Sequence, residues 1–173
     1  MFLIVGLGNP GAKYERTRHN SGVMALTELA GAVAFRRRGS ALVAESWLAD
    51  HRVVFAIPQR FMNVSGGPVK EVAGFFKIPP QRTIVLFDDL ELEFGTIRLP
   101  VLGDHGHNGL RSITKVFGAD YVRAGLGIGR PPGRMPVTDF VLKPFTKTER
   151  PQLPIMWADM ADEVTRFITT SGT

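Results

Sequence analysis

Short apolar runs of strand length recur along this chain, separated by segments with helical spacing. The strand-like runs are "FLIVGL", "ALVAESWLAD", "RVVFAIP", "RTIVLFDDLEL", "GTIRLPV" and "YVRAGLGIG". Between them, "NSGVMALTELAGAV" places Val23, Leu26, Leu29, Ala30 and Val33 on one side, with Asn20 or Ser21 as its cap. "SGGPVKEVAGFFKI" opens on Ser65 as cap and gathers Val69, Val72, Ala73 and Phe76. A short helix is expected over "LRSITKVFG" and a last one over "IMWADMADEVTRFI", since Pro151 and Pro154 are tolerable only near a helix start. Strands that alternate with helices build βα units, whose sheet is buried under helices. The expected fold is therefore α/β: a single domain over residues 1–173, with a twisted, mostly parallel mixed β-sheet flanked by helices. The sheet is mixed because the runs at 42–57, joined near Asp50 and His51, read as a hairpin. Pro100 either stops "GTIRLPV" or pushes it to an edge. Arg36-Arg37-Arg38 reads as a solvated turn.

The first run ends in Gly6-x-Gly8-x-x-Gly11, the letter pattern of a dinucleotide fingerprint. That reading needs a helix starting at the third glycine and an acid about 20 residues on, at the end of a second strand. The chain continues instead as "AKYERTRHNSG", with no apolar stripe, and the nearest acid, Glu28, falls inside the expected first helix. The segment after Gly11 is better read as a loop that delivers Tyr14 and His19 to a crevice above the strand ends. No cofactor is expected.

In an open α/β sheet the carboxyl ends of the strands share one crevice. Asn9, His19, Phe61-Met62-Asn63, Asp88 and His107-Asn108 all fall in segments of that kind. A His and an Asp meeting there form a general base: the carboxylate holds one imidazole nitrogen and the other takes a proton from water. The chain has no cysteine, no Gly-x-Ser-x-Gly elbow and no Gly-x-x-x-x-Gly-Lys loop. Thiol, serine-elbow and phosphate-loop chemistry are thereby excluded, and direct attack by water remains. A metal-activated version competes, because His105, His107, Asp88, Asp89 and Glu91 could supply ligands. Its spacing is not a strong ligand signature, and the site is expected to hold no metal. The 173 residues carry a formal net charge of +5 and a pI near 10.0, which fits a polyanionic partner as well as simple solubility. A cysteine-free chain suits a reducing, cytoplasmic setting. The opening "MFLIVGLG" lacks the basic flank of a signal peptide, and no apolar run reaches membrane-spanning length, so no membrane is expected.

The segments "LIVGLGNPGAKYERTRHNSG", "FMNVSG", "VLFDDLEL", "HGHNGLRSI", "GLGIGRPPG" and "DFVLKPF" together resemble the bacterial peptidyl-tRNA hydrolase family, in order and over nearly the whole chain. The resemblance implies a monomeric α/β carboxylic ester hydrolase without cofactor or metal. Such an enzyme cleaves the ester between peptide and tRNA on ribosome-free peptidyl-tRNA, releasing peptide and recycling tRNA. It implies that His19 is the general base and that Asp88 keeps its basic form available. It also implies that Asn9 senses whether the substrate's amino group is blocked, and that Tyr14, Phe61, Asn63 and Asn108 hold the tRNA end or the peptide. Arg98, Arg111 and Lys115 become candidate contacts to acceptor-stem phosphates. The chain departs from the family where "HGGHNG" is shortened to "HGHNG". Gly125 stands where an arginine is common, and Pro100 where a second basic residue often follows. The alternatives are a metal-dependent peptidase on a similar fold and a noncatalytic RNA-binding protein. The latter would leave His19 and Asp88 idle.

Overall fold

The computed structural model describes residues 1–171; the last two positions of the expected 1–173 span lie outside the described residues. The strands are β1 (Phe2–Gly6), β2 (Arg36–Arg38), β3 (Ala41–Leu48), β4 (His51–Pro58), β5 (Thr83–Asp89), β6 (Ile97–Val101) and β7 (Val122–Gly127). The helices are α1 (Ser21–Ala30), α2 (Gly66–Phe76), α3 (Asn108–Phe117), α4 (Val137–Val141) and α5 (Leu153–Ser171).

The seven strands form one mixed sheet in the order β2-β3-β4-β1-β5-β7-β6. The neighbours β4, β1, β5 and β7 are parallel, whereas β2, β3 and β6 join antiparallel at the edges. Every residue of β1 and β5 is buried, as central parallel strands require when both faces are covered. Side chains alternate between two cores. Phe2, Ile4, Ile84 and Leu86 meet Leu26, Trp157 and Met160 on one side. Leu3, Val5, Val85 and Phe87 meet Val69, Val72, Leu110 and Ile113 on the other. The expected fold class is the one observed, and Pro100 does lie on an edge strand.

Local expectations needed correction. Arg36–Arg38 is not a turn but the exposed edge strand β2, recruited by pairing with β3. The first helix stops at Ala30, where Gly31 turns at φ 67°, so Val33 packs on the core from outside it. Neither Asn20 nor Ser65 caps a helix with its side chain. The Ser65 hydroxyl donates to the Met62 carbonyl instead, and Asn20 is committed to the loop after β1.

Glycine sets how closely α1 approaches the sheet. A Cβ on Gly22 would lie 2.3 Å from the Leu86 carbonyl oxygen and 2.7 Å from the Leu7 nitrogen, so backbone rests directly on backbone. That contact fixes the start of α1, and with it the loop bearing His19, against the ends of β1 and β5.

Candidate active site

The carboxyl ends of β1, β4 and β5 converge where strand order reverses around β1, the usual crevice of such sheets. A cleft of about 290 Å³ opens there, lined among others by Asn9, His19, Phe61, Asn63, Asp88, His105, His107 and Asn108. Segments far apart in sequence thus meet in one cavity.

At its centre the His19 Nδ1 lies 2.8 Å from Asp88 Oδ2. His19 keeps 13% of its side chain exposed, while Asp88 keeps 1%. The other Asp88 oxygen, Oδ1, is 2.8 Å from His107 Nε2. His107 stands just before α3, and its Nδ1 accepts from the Gly109 and Leu110 N–H groups. An acceptor nitrogen carries no proton, so the His107 proton sits on Nε2 and is donated to Asp88. A buried carboxylate only accepts, so His19 donates through Nδ1 and its Nε2 is left as a lone pair for the cleft.

The same contacts set the ionisation of the pair. Burial alone would push the Asp88 carboxyl up, but the charges and hydrogen bonds of His19 and His107 outweigh it and hold the group well below the usual carboxylate range. For His19, burial favours the neutral ring, and Asp88 more than offsets it through charge and hydrogen bond, leaving the net shift upward.

Asn9 is oriented by two neighbours. Its Oδ1 accepts from the Met62 N–H at 2.7 Å, and its backbone N–H and carbonyl are bracketed by the Asn20 side chain at 2.9 and 3.0 Å. With Oδ1 taken, the group left for the cleft is the Nδ2 amide. Asn63 and Asn108 are exposed at the cleft, one in the turn Met62–Val64 and the other opening α3. Tyr14 meets Phe61 edge to face at 6.2 Å, and Phe61 is 57% exposed. Of this pair only Phe61 lines the cleft. Arg98 lies on the edge strand β6, and Arg111 and Lys115 lie on α3; all three are exposed.

Three supports of the site owe their roles to contacts between separate segments. Asn20 and His107 carried the polar-loop signal, but their partners are long-range. Arg18 carries no such signal. It is buried beside His19 and donates to the Phe140 and Lys143 carbonyls and to Glu149, with its guanidinium 4.1 Å from the Phe140 ring centre. It ties the His19 loop to residues 140–149.

His105 and His107, read as a possible metal pair, hang on different carboxylates: His105 Nδ1 lies 3.0 Å from Asp89 Oδ2. Among the described residues, His19, Asp88 and His107 do bring ligand atoms within 4.8 Å of one another. Those facing atoms are already joined by hydrogen bonds, which an ion would have to replace.

An imidazole held by a buried carboxylate, in a crevice at the ends of parallel strands, has the geometry of a general base and suits an α/β enzyme that activates water, a hydrolase. A model of the peptidyl-tRNA hydrolase family matches residues 3–173. The chain is 51% identical over 179 residues to the peptidyl-tRNA hydrolase of Corynebacterium diphtheriae, covering 98% of this chain and 97% of that one. It is 52% identical over 175 residues to peptidyl-tRNA hydrolase 1 of Corynebacterium jeikeium, covering 96% and 91%. The crystal structure of peptidyl-tRNA hydrolase from Acinetobacter baumannii matches with a TM-score of 0.92 at 30% identity, covering 99% and 90%. The chain belongs to the peptidyl-tRNA hydrolase family. Nothing in these relationships supports the metal-dependent peptidase alternative.

Proposed function

We propose that this chain hydrolyses the ester linking peptide to tRNA by water that His19 activates, with residues 1–173 acting as one catalytic domain. The observation that carries the reading is the His19 Nδ1 to Asp88 Oδ2 bond, which leaves Nε2 facing the cleft. Nε2 takes a proton from water as the oxygen attacks the ester carbonyl. The same proton then passes to the departing ribose oxygen, giving a free tRNA hydroxyl and a peptide carboxylic acid, which gives up its own proton to water. A positioned base of this kind is worth about 10²–10⁴ in rate. Asn63 or Asn108 supplies an amide N–H to the developing oxyanion, worth about 10²–10³.

Asn9 supports discrimination between blocked and free amino groups. Its available Nδ2 donates to the carbonyl of a peptide bond but has nothing to offer an ammonium. The Tyr14–Phe61 pair offers an exposed aromatic face for a base of the single-stranded tRNA end. Arg98, Arg111 and Lys115 are exposed cations for acceptor-stem phosphates, held without sequence readout. The same reading carries a monomer with it, and a substrate made in translation supports a cytoplasmic setting. No helix of the described residues is long and apolar enough to cross a membrane.

The test is incubation of the purified protein with N-acetyl-aminoacyl-tRNA, with and without chelator, beside His19→Ala. Release of N-acetyl-amino acid that resists chelator and disappears in the variant is expected. Release that persists in a folded His19→Ala refutes the base assignment, and release abolished by chelator points to a metal.

A further inference from the structure

Beside the Asp88 pair stands a second, separate one. Asp89 is fully buried, and its two carboxylate oxygens lie 3.1 and 3.0 Å from His105 Nδ1. Oδ1 also accepts from the Glu91 N–H at 2.9 Å. His105 keeps 27% of its side chain exposed, and both residues line the cleft. Because a carboxylate only accepts, His105 donates through Nδ1, and Nε2 is the atom left for whatever enters. The backbone is bent to make this pair: His105 sits at φ 47°, a left-handed conformation that costs an L side chain energy, between Gly103 at φ 80° and Gly106 at φ 69°. Such outliers persist where the surroundings over-determine them, and they cluster at functional sites. Room for the pair comes from Gly125, where a Cβ would lie 3.0 Å from Asp89 Oδ2.

Charge in the cleft narrows the role. Its walls hold the carboxylates Asp88 and Asp89 and, among the described residues, no lysine or arginine. The substrate end adds phosphodiester charge. Of the three imidazoles present, His19 must be unprotonated at Nε2 to act as a base. His107 cannot take a proton at Nδ1 without losing its bonds to Gly109 and Leu110. His105 alone can carry a proton on each nitrogen, one facing Asp89 and the other facing an incoming anion. Two neighbouring carboxylates are engaged elsewhere: Glu91 pairs with Arg130, and Asp104 with Arg123.

We propose that His105, braced by Asp89, is a specificity residue that grips the phosphodiester next to the substrate's terminal nucleoside. The proposal rests on the ester-hydrolase reading above.

The test compares two small esters, 3′-O-(N-acetyl-aminoacyl)-adenosine and the same ester on cytidylyl-(3′→5′)-adenosine, which differ by one phosphodiester and its nucleoside. The readout is the ratio of kcat/KM for the dinucleotide to that for the nucleoside. His105→Gly suits the left-handed backbone and so preserves the loop. His105→Gly combined with Asp89→Asn also avoids leaving a bare buried carboxylate. Loss of a charge-assisted hydrogen bond should lower the ratio by about 10- to 100-fold in both variants, chiefly through KM. His105→Lys, which supplies a cation at the same position, should recover part of it. A ratio that does not move, whether both rates fall together or neither does, overturns the assignment, because a merely structural role affects both esters alike. Wild-type protein that cleaves neither these esters nor N-acetyl-aminoacyl-tRNA removes the hydrolase reading, and this proposal with it. Wild-type cleavage with an unmoved ratio removes this proposal alone.

Discussion

Replacing Asp88 by asparagine sets two neighbours against each other. The carboxylate now accepts from both imidazoles, His19 on Oδ2 and His107 on Oδ1, each at 2.8 Å. Asparagine has one oxygen and one NH₂, so it can accept from only one of them. The His107 tautomer is fixed by the N–H groups at the start of α3, so its Nε2 goes on donating. Turning NH₂ toward His107 would oppose two buried donors, at about 1–3 kcal/mol. Asparagine therefore gives its oxygen to His107 and its NH₂ to His19, which must then hold its proton on Nε2 and cannot act as a base. That bias alone removes a factor of about 10–100 from the productive tautomer, and losing the charge that stabilises the imidazolium adds more. The expected fall in kcat is about 10²–10⁴, with the fold retained. Single-turnover hydrolysis of N-acetyl-aminoacyl-tRNA measures it, with circular dichroism as the folding check. The same logic predicts partial rescue: in Asp88→Asn/His107→Gln the glutamine oxygen can accept from the asparagine NH₂, freeing its oxygen for His19. A kcat within about threefold of wild type in the single variant, or a pH profile superimposable on it, would refute this account. A double variant no better than the single one would show that His107 does not set the tautomer.

The pH dependence follows from the shifts at the same pair. His19 is raised above its ordinary 6.5, so its stabilising contribution is complete below that value and is lost as pH rises through the folded-state value. Activity runs the opposite way, rising with pH through that raised value as the ring becomes neutral; a pH–rate profile set beside pH-dependent thermal unfolding should show the two trends crossing. Asp88 is lowered, so its contribution is present above the ordinary carboxylate value of 3.8 and is lost as pH falls toward the folded-state value, measurable as acid destabilisation absent in Asp88→Asn. Asn9→Asp replaces the available NH₂ by an oxygen that welcomes an ammonium, so the preference for N-acetylated over free aminoacyl-tRNA should shrink about tenfold in kcat/KM; an unchanged ratio moves the sensing to another residue. Arg18→Lys loses the fork that reaches Phe140, Lys143 and Glu149 together, with an expected loss of about 2 kcal/mol, a drop of roughly 5 °C in Tm and a reduced kcat; a normal kcat would show that the brace is not needed to hold His19.

The sequence made the sheet legible because central parallel strands are apolar throughout, and "FLIVG" and "TIVLF" could hardly be anything else. It made the site region legible because His19 and Asn63 lie in the loops that follow strands and Asp88 ends one, where local structure gives such polar groups no bland use. Local caps misled for a physical reason: Asn20 and Ser65 stand where caps belong, but long-range or neighbouring carbonyl and amide partners claimed their side chains. Arg36–Arg38 misled likewise, since three adjacent charges can form an edge strand once β3 offers a free side. The Arg18 tie and the two carboxylate-held histidines at 105 and 107 join residues far apart in the chain, and no periodicity carries such information.

The Arg18 clasp has a consequence in time. A ribosome makes the amino terminus first, so His19 emerges long before Phe140, Lys143 and Glu149, the groups that steady its loop. During that interval the growing molecule is itself a peptide esterified to tRNA, the very linkage its finished form destroys. The loop that bears its base gains this clasp only after Phe140, Lys143 and Glu149 have joined the chain, the first of them 122 residues after Arg18 itself.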